Sequence, residues 1–272
     1  MTVSTGMPDA LACDDRSRLL AVRMLQGSAA ATLFAYRLGE TLDPVVHGVA
    51  ADGALAVVAL PRGRWAEEQP GRVVDVRLDL VKNSLDPRVS TVVASAHALG
   101  GLVWAEDDET DARLVDGSLP EALRQSLTVP GARLGWLLLD RLVVHDLSGA
   151  VVVPHAELPL APPALDGGLT GLSLVTACSD AALKDVCWSV MVGRTPGTVT
   201  RKPHAGHACP HTLDQIFCAD VDALGVTLLL VTAQDLVVVH GEFEQLADSA
   251  DALNCLVHQL VAQAAPSCDA ER

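Results

Sequence analysis

The chain has 272 residues, half of them apolar but only 3% aromatic, with a mean hydropathy of +0.31, so its core must be built from Val, Leu and Ala. Nineteen Lys and Arg against 34 Asp and Glu give a formal net charge of -15. Such a field repels a phosphate backbone or an anionic lipid surface unless a basic patch overcomes it, which excludes nucleic acid and membrane from the expected partners.

Residues 14–26 open with Asp14 and Asp15 as caps, place Leu19, Leu20 and Met24 near one face and stop at Gly27, which predicts a short helix. Runs of strand character follow at 30–36, 45–50 and 54–60, the last two separated by Asp52-Gly53. In VVDVRLDLVK, Val74, Val76, Leu78 and Leu80 alternate with Asp75, Arg77 and Asp79, the pattern of a half-buried strand. Further strands are expected over 89–104 and 134–153, the second broken at Ser148-Gly149. The acidic EDDETDARLVDG between them reads as a solvated loop leading to a short helix around 120–126.

Pro and Gly concentrate over 158–171 and mark an interdomain connection. Beyond it, 172–192 reads as one helix, 194–212 as an irregular loop, and 225–232 with 236–243 as a hairpin. The last helix is signalled by Leu253, Leu256, Val257, Leu260 and Val261 at i, i+3, i+4, i+7 and i+8 behind an Asp248 or Ser249 cap. The expected division is therefore an antiparallel β domain over 1–160, a linker and irregular segment over 161–209, and a small α+β domain over 210–272.

The first twenty residues lack a basic start and long apolar run, and no stretch reaches the ~18 apolar residues of a membrane span. The seven cysteines, at 13, 178, 187, 209, 218, 255 and 268, are scattered without a C-x-x-C pair. A cytoplasmic chain with reduced thiols is expected. Cys178 and Cys187, nine apart, would lie half a turn out of phase on a helix and read as core residues.

Candidate chemistry is sparse. PHAGHACPH gathers His204, His207, Cys209 and His211, donors that could meet a transition metal or haem iron, although their spacing follows no standard zinc pattern. His97 and His145 are expected as packed strand residues with one nitrogen satisfied. His145 and Asp146 point to opposite faces and cannot form a catalytic pair. His47, on a short strand, reads as a surface residue that could approach a ligand. Nucleophile elbows, P-loops and G-x-G-x-x-G turns are absent, which disfavours serine hydrolases, P-loop NTPases and Rossmann dehydrogenases.

The order of GSAAATLFAY, PVVHGVAADGALAVVAL, DPRVSTVVASAHALGGLVW and LGWLLLDRLVVHDLSGAVVVP resembles the split β-barrel proteins related to flavin-dependent pyridoxamine phosphate oxidases. Residues 210–264, with DVDALGVTLLLV, VVVHGEF and the closing helix, resemble the small C-terminal domain of haem-utilisation proteins and of the glutamyl-tRNA reductase-binding protein. The resemblance implies an α+β chain, an antiparallel split barrel with a smaller C-terminal α+β domain, that pairs as a homodimer with any FMN or haem at the subunit boundary. Arg62 and Arg64 partly match the phosphate-binding positions for FMN, and His204, His207 and His211 occupy the region of the haem ligand. Three functions stay open: a dimer that binds a cofactor or a protein partner without catalysis, a haem-binding or haem-degrading protein, and an FMN-dependent oxidoreductase.

Overall fold

The computed structural model describes residues 13–160, 165–203 and 210–266. They form two compact units, one made of 13–82 and 94–164, the other of 83–93 together with the chain from 165 onward. The fold is mixed α+β, with a closed antiparallel barrel of six strands and a second, smaller sheet.

In the first unit, helix α1 (Cys13–Arg23) runs into a π-helical turn (Met24–Ser28) that Gly27 ends at φ 108°, as its position in the sequence predicts. Strands β1 (Ala30–Ala35), β2 (Glu40–Val49), β3 (Leu55–Ala59), β4 (Val73–Asn83), β5 (Val92–Trp104), β6 (Arg133–Asp146) and β7 (Ala150–Pro154) follow in the order β3-β2-β1-β4-β5-β6-β7. Pairing of Ala56–Ala59 on β3 with Trp136–Arg133 on β6 closes six of them into a ring, and β7 continues along β6 beyond the point where β3 stops. Val74, Val76, Leu78 and Leu80 point inward, as the alternation requires. They meet Leu33, Leu102, Leu142 and the T-shaped pair Trp65 and Trp104, and Met24 and Leu25 join the same core.

His47 is buried on β2, where its Nε2–H donates to the Met24 carbonyl at 2.6 Å. This corrects the expectation of a surface residue: the β1–β2–β3 meander folds it under the helical turn. The acidic segment also differs from expectation. It forms helix α2 (Asp107–Asp116), with Asp107, Asp108 and Glu109 at its positive end, Arg113 in its last turn and Gly117 at φ 68° as its left-handed stop. Helix α3 (Glu121–Leu127) then packs Leu123 on Ala50, Ala56 and Val58 outside the barrel.

In the second unit, the expected single helix over 172–192 is two, α4 (Gly168–Thr176) and α5 (Asp180–Met191), because the Ser179 side chain accepts the Ala182 N–H and starts a new helix. Part of the expected loop over 194–212 is a strand, β8 (Gly197–Pro203). Its β-branched centre pairs with β11 while its prolines are confined to the end and flank. Strands β9 (Ile216–Val221), β10 (Gly225–Val231) and β11 (Asp235–Glu242) complete a sheet ordered β8-β11-β10-β9. Helix α6 (Ala250–Ala264), capped by Ser249, buries Leu253, Leu256, Val257 and Leu260 in one core with α5 and the sheet. No helix among the described residues is long and apolar enough to cross a membrane.

The Asp86-Pro87-Arg88 segment lies against β9 rather than simply entering a barrel strand: Leu85 and Asp86 N–H groups donate to the Ala219 and Cys218 carbonyls, each at 3.0 Å. Asp86 is buried and accepts Arg88 Nη2 at 2.7 Å and Nε at 3.0 Å, and the guanidinium lies 5.2 Å over the Phe217 ring. Burial opposes the Asp86 charge, but the Arg88 side chain and backbone outweigh it and hold the carboxyl below its usual range.

Asp86→Ala should destabilise this unit by about 2 kcal/mol, a figure kept modest because Arg88 is half exposed to screening solvent. A depressed folded pKa stabilises above the ordinary carboxylate range and loses that contribution as pH falls through the folded value. The gap in urea midpoint between wild type and variant seen at pH 7 should therefore narrow at pH 3. For His47, burial lowers the imidazole pKa despite the Met24 carbonyl. Its stabilising effect is complete above the unfolded pKa of about 6.5 and is lost below it as the unfolded chain takes up a proton first. The difference in urea midpoint between pH 7.5 and pH 5.5 should shrink in His47→Gln; an identical difference would assign the acid sensitivity elsewhere.

Candidate functional site on the outer barrel face

Alternation along β5 sends Ala94, Ala96 and Ala98 into the core and Ser95, His97 and Leu99 outward; on β6, Leu142 and Val144 go inward and Val143 and His145 outward. The register sets His97 opposite Val143 and Val143 opposite Val152 of β7, and in the next row Ser95, His145 and Ala150. The two imidazoles are thus diagonal neighbours on one face. They stack with ring centroids 5.7 Å apart and planes 19° from parallel.

The expectation of packed histidines is corrected: both are exposed. Their surroundings are apolar, with Leu99 at 60%, Leu138 at 56% and Val152 at 55% exposure on the same outward face. A register shift between Ala98 and Gly100 continues this face past the histidines to the Gly101–Leu138 pair. A side chain at Gly100 would strike the Leu138 carbonyl and approach Leu139 Cδ2 to 2.8 Å, so the shift depends on glycine. Arg141, opposite Pro154, places a cation on the outward side of β6 beside the apolar strip. Asp146 turns the other way, accepting Ser17 Oγ at 2.6 Å and the Ser148 and Gly149 N–H groups, as expected for the residue after His145.

Of the residues singled out from sequence as cofactor ligands, the described ones, Arg62, Arg64 and His211, lie on separate segments of the chain. His204 and His207 lie outside the described residues, and His211 is exposed in the turn before β9. Arg62 and Arg64 are exposed after β3, but Arg64 Nη1 donates to the Leu38 carbonyl at 3.0 Å and its backbone N–H to Glu40 Oε2 at 3.1 Å. Glu40 thus places a carboxylate beside the Arg64 backbone N–H. His47 is enclosed in the barrel unit, held by the Met24 carbonyl. A shallow crevice between β11 and α6, lined by Glu242, Phe243, Gln259 and Gln263, encloses no space that even a water molecule could occupy and is not a small-molecule pocket.

The histidine pair could have been suspected from the inward Ala94-x-Ala96-x-Ala98 and Leu142-x-Val144 patterns, which push His97 and His145 outward. Their adjacency required the β5–β6 register, which no local pattern encodes.

No protein-family model and no curated protein matches the sequence. Among solved structures, the chain is similar to a heme binding protein from Mycobacterium smegmatis, with 15% identity and a TM-score of 0.50 over 96% of this chain and 99% of that one. A protein of unknown function from Agrobacterium tumefaciens aligns over 94% of this chain and 100% of its own at 15% identity, with a TM-score of 0.36. The first likeness is one of fold and takes in both units.

Proposed function

We propose that this is a haem-associated binding protein of the split-barrel type, acting as a homodimer without a catalytic step of its own. The observation that carries the reading is the stacked His97 and His145 pair on an exposed apolar sheet face. A porphyrin needs a flat apolar support, an imidazole for its iron and cations for its propionates. Leu99, Leu138 and Val152 offer the first, either histidine the second and Arg141 the third. Bound haem would supply an iron coordination position that no side chain provides.

The same face supports homodimerisation. Contiguous exposed apolar residues of this kind mark interaction surfaces. A second copy laid over the strip would cover the side of the porphyrin that a single sheet leaves in water. The near full-length likeness to a heme binding protein supports the reading at the level of architecture. The loop histidines His204, His207 and His211 are the other source of an axial ligand, and a cytoplasmic location suits the scattered thiols.

Titration of the purified full-length chain with haem should produce a Soret band saturating near one haem per chain. His97→Ala/His145→Ala should weaken binding about tenfold or more, or shift the band. Failure to develop a Soret band at stoichiometric haem removes the proposal. A band unchanged in that variant but lost in His204→Ala/His207→Ala/His211→Ala moves the ligand to the loop. Sedimentation of the protein with and without haem reads the dimer.

A further inference from the structure

We infer that the β8 edge of the second sheet, together with the exposed face of α5, is a docking site for an acidic, extended peptide segment of a partner protein. Among the described residues β8 pairs with β11 alone, so its other edge faces outward. The Glu242 N–H donates to the Pro196 carbonyl, which sets the alternation along the ladder: Thr198, Thr200 and Lys202 bond to β11, while the backbone groups of Val199 and Arg201 point away from it. An added strand would find these donors and acceptors ready.

Apolar anchorage lies beside the edge. Trp188 on α5 is 61% exposed and Val192 51%. Met191, one turn on from Trp188, touches Arg201 of β8, with its sulfur 3.8 Å from the guanidinium. A large exposed aromatic next to open backbone groups is the composition of an interface centre.

Charge selects the occupant. From residue 165 to 266 the chain has four basic residues, Lys184, Arg194, Arg201 and Lys202, and all belong to α5, β8 or the turn between them. Asp235 and Glu242 mark the two ends of β11 and Asp180 opens α5 near Arg88, while Asp185, half-buried one turn before Trp188, offsets one of the four cations and leaves the patch positive. On a chain of net charge -15 this is a local inversion of sign. It disfavours a second copy of β8, whose Arg201 and Lys202 would oppose their own kind, and favours a strand rich in Asp and Glu. Edge cations also guard against aggregation, but that role calls for no exposed Trp188.

The test is fluorescence anisotropy of the full-length protein with a labelled peptide of alternating Val and Glu, and with the same peptide carrying Lys for Glu. The acidic peptide should bind and weaken with added salt, and the basic one should not. Arg201→Glu/Lys202→Glu and Trp188→Ala should each weaken binding about tenfold. Val199→Pro removes an outward donor without breaking a β8–β11 bond and should do the same, with circular dichroism confirming that the sheet is kept. Equal binding of both peptides, binding unaffected by all three variants, or no binding at low salt would overturn the assignment. Self-association lost in Val199→Pro would give the edge to a second copy instead.

Discussion

Everything in the first unit depends on closing a ring of only six strands around a core of Val, Leu and Ala side chains built about one tryptophan pair, Trp65 and Trp104. Three of the four pairs across the seam between β3 and β6 set a small residue against a larger one: Ala56 opposite Trp136, Gly135 opposite Val57 and Ala59 opposite Arg133. A Cβ at Gly135 would come within 2.8 Å of Leu102 and 3.0 Å of the Trp104 ring. Leu33, Leu78, Leu102, Leu142 and the two tryptophans then fill the inside. A barrel so filled is a packed core rather than a container, so any ligand must be met on its outer surface or beyond it.

The fold was readable where side-chain periodicity is local. Val74 to Leu80, the Ser148-Gly149 break and the Leu253 to Leu260 stripe each state their element without help. Misreadings arose where terminus chemistry overrode composition. Asp107 to Glu109 look like solvent-exposed loop residues until Gly117 is recognised as a helix stop, and Ser179 divides what hydrophobicity alone presents as one helix. Thr198 to Thr200 were hidden by flanking Pro196 and Pro203, which suggest a loop but tolerate an edge strand.

The candidate site was half readable. That His97 and His145 point outward follows from their alanine and valine neighbours; that they touch follows from pairing two strands about fifty residues apart in sequence, a quantity fixed only once the barrel closes. Histidines crowded in sequence, as in 204–211, draw attention because proximity along the chain is visible. Proximity across a ladder is not, yet it brings two rings onto one rigid surface held by hydrogen bonds on both sides. Rigid presentation lowers the ordering cost of a ligand set, which is why strand-borne pairs outweigh loop clusters as sites.

The second sheet treats its two edges differently, and the contrast bears on what each is for. On the β9 side the chain covers the edge with its own Leu85 and Asp86, bonded to Ala219 and Cys218 and fastened by the buried Asp86 and Arg88 pair. On the β8 side the described residues supply no such strand, and cations with an exposed indole take its place. Among the described residues that second edge stays unpaired, which exposes backbone groups to unwanted pairing, and Arg201 and Lys202 narrow the exposure to partners of opposite sign. The same charges that suppress self-pairing therefore define the class of strand that can be admitted.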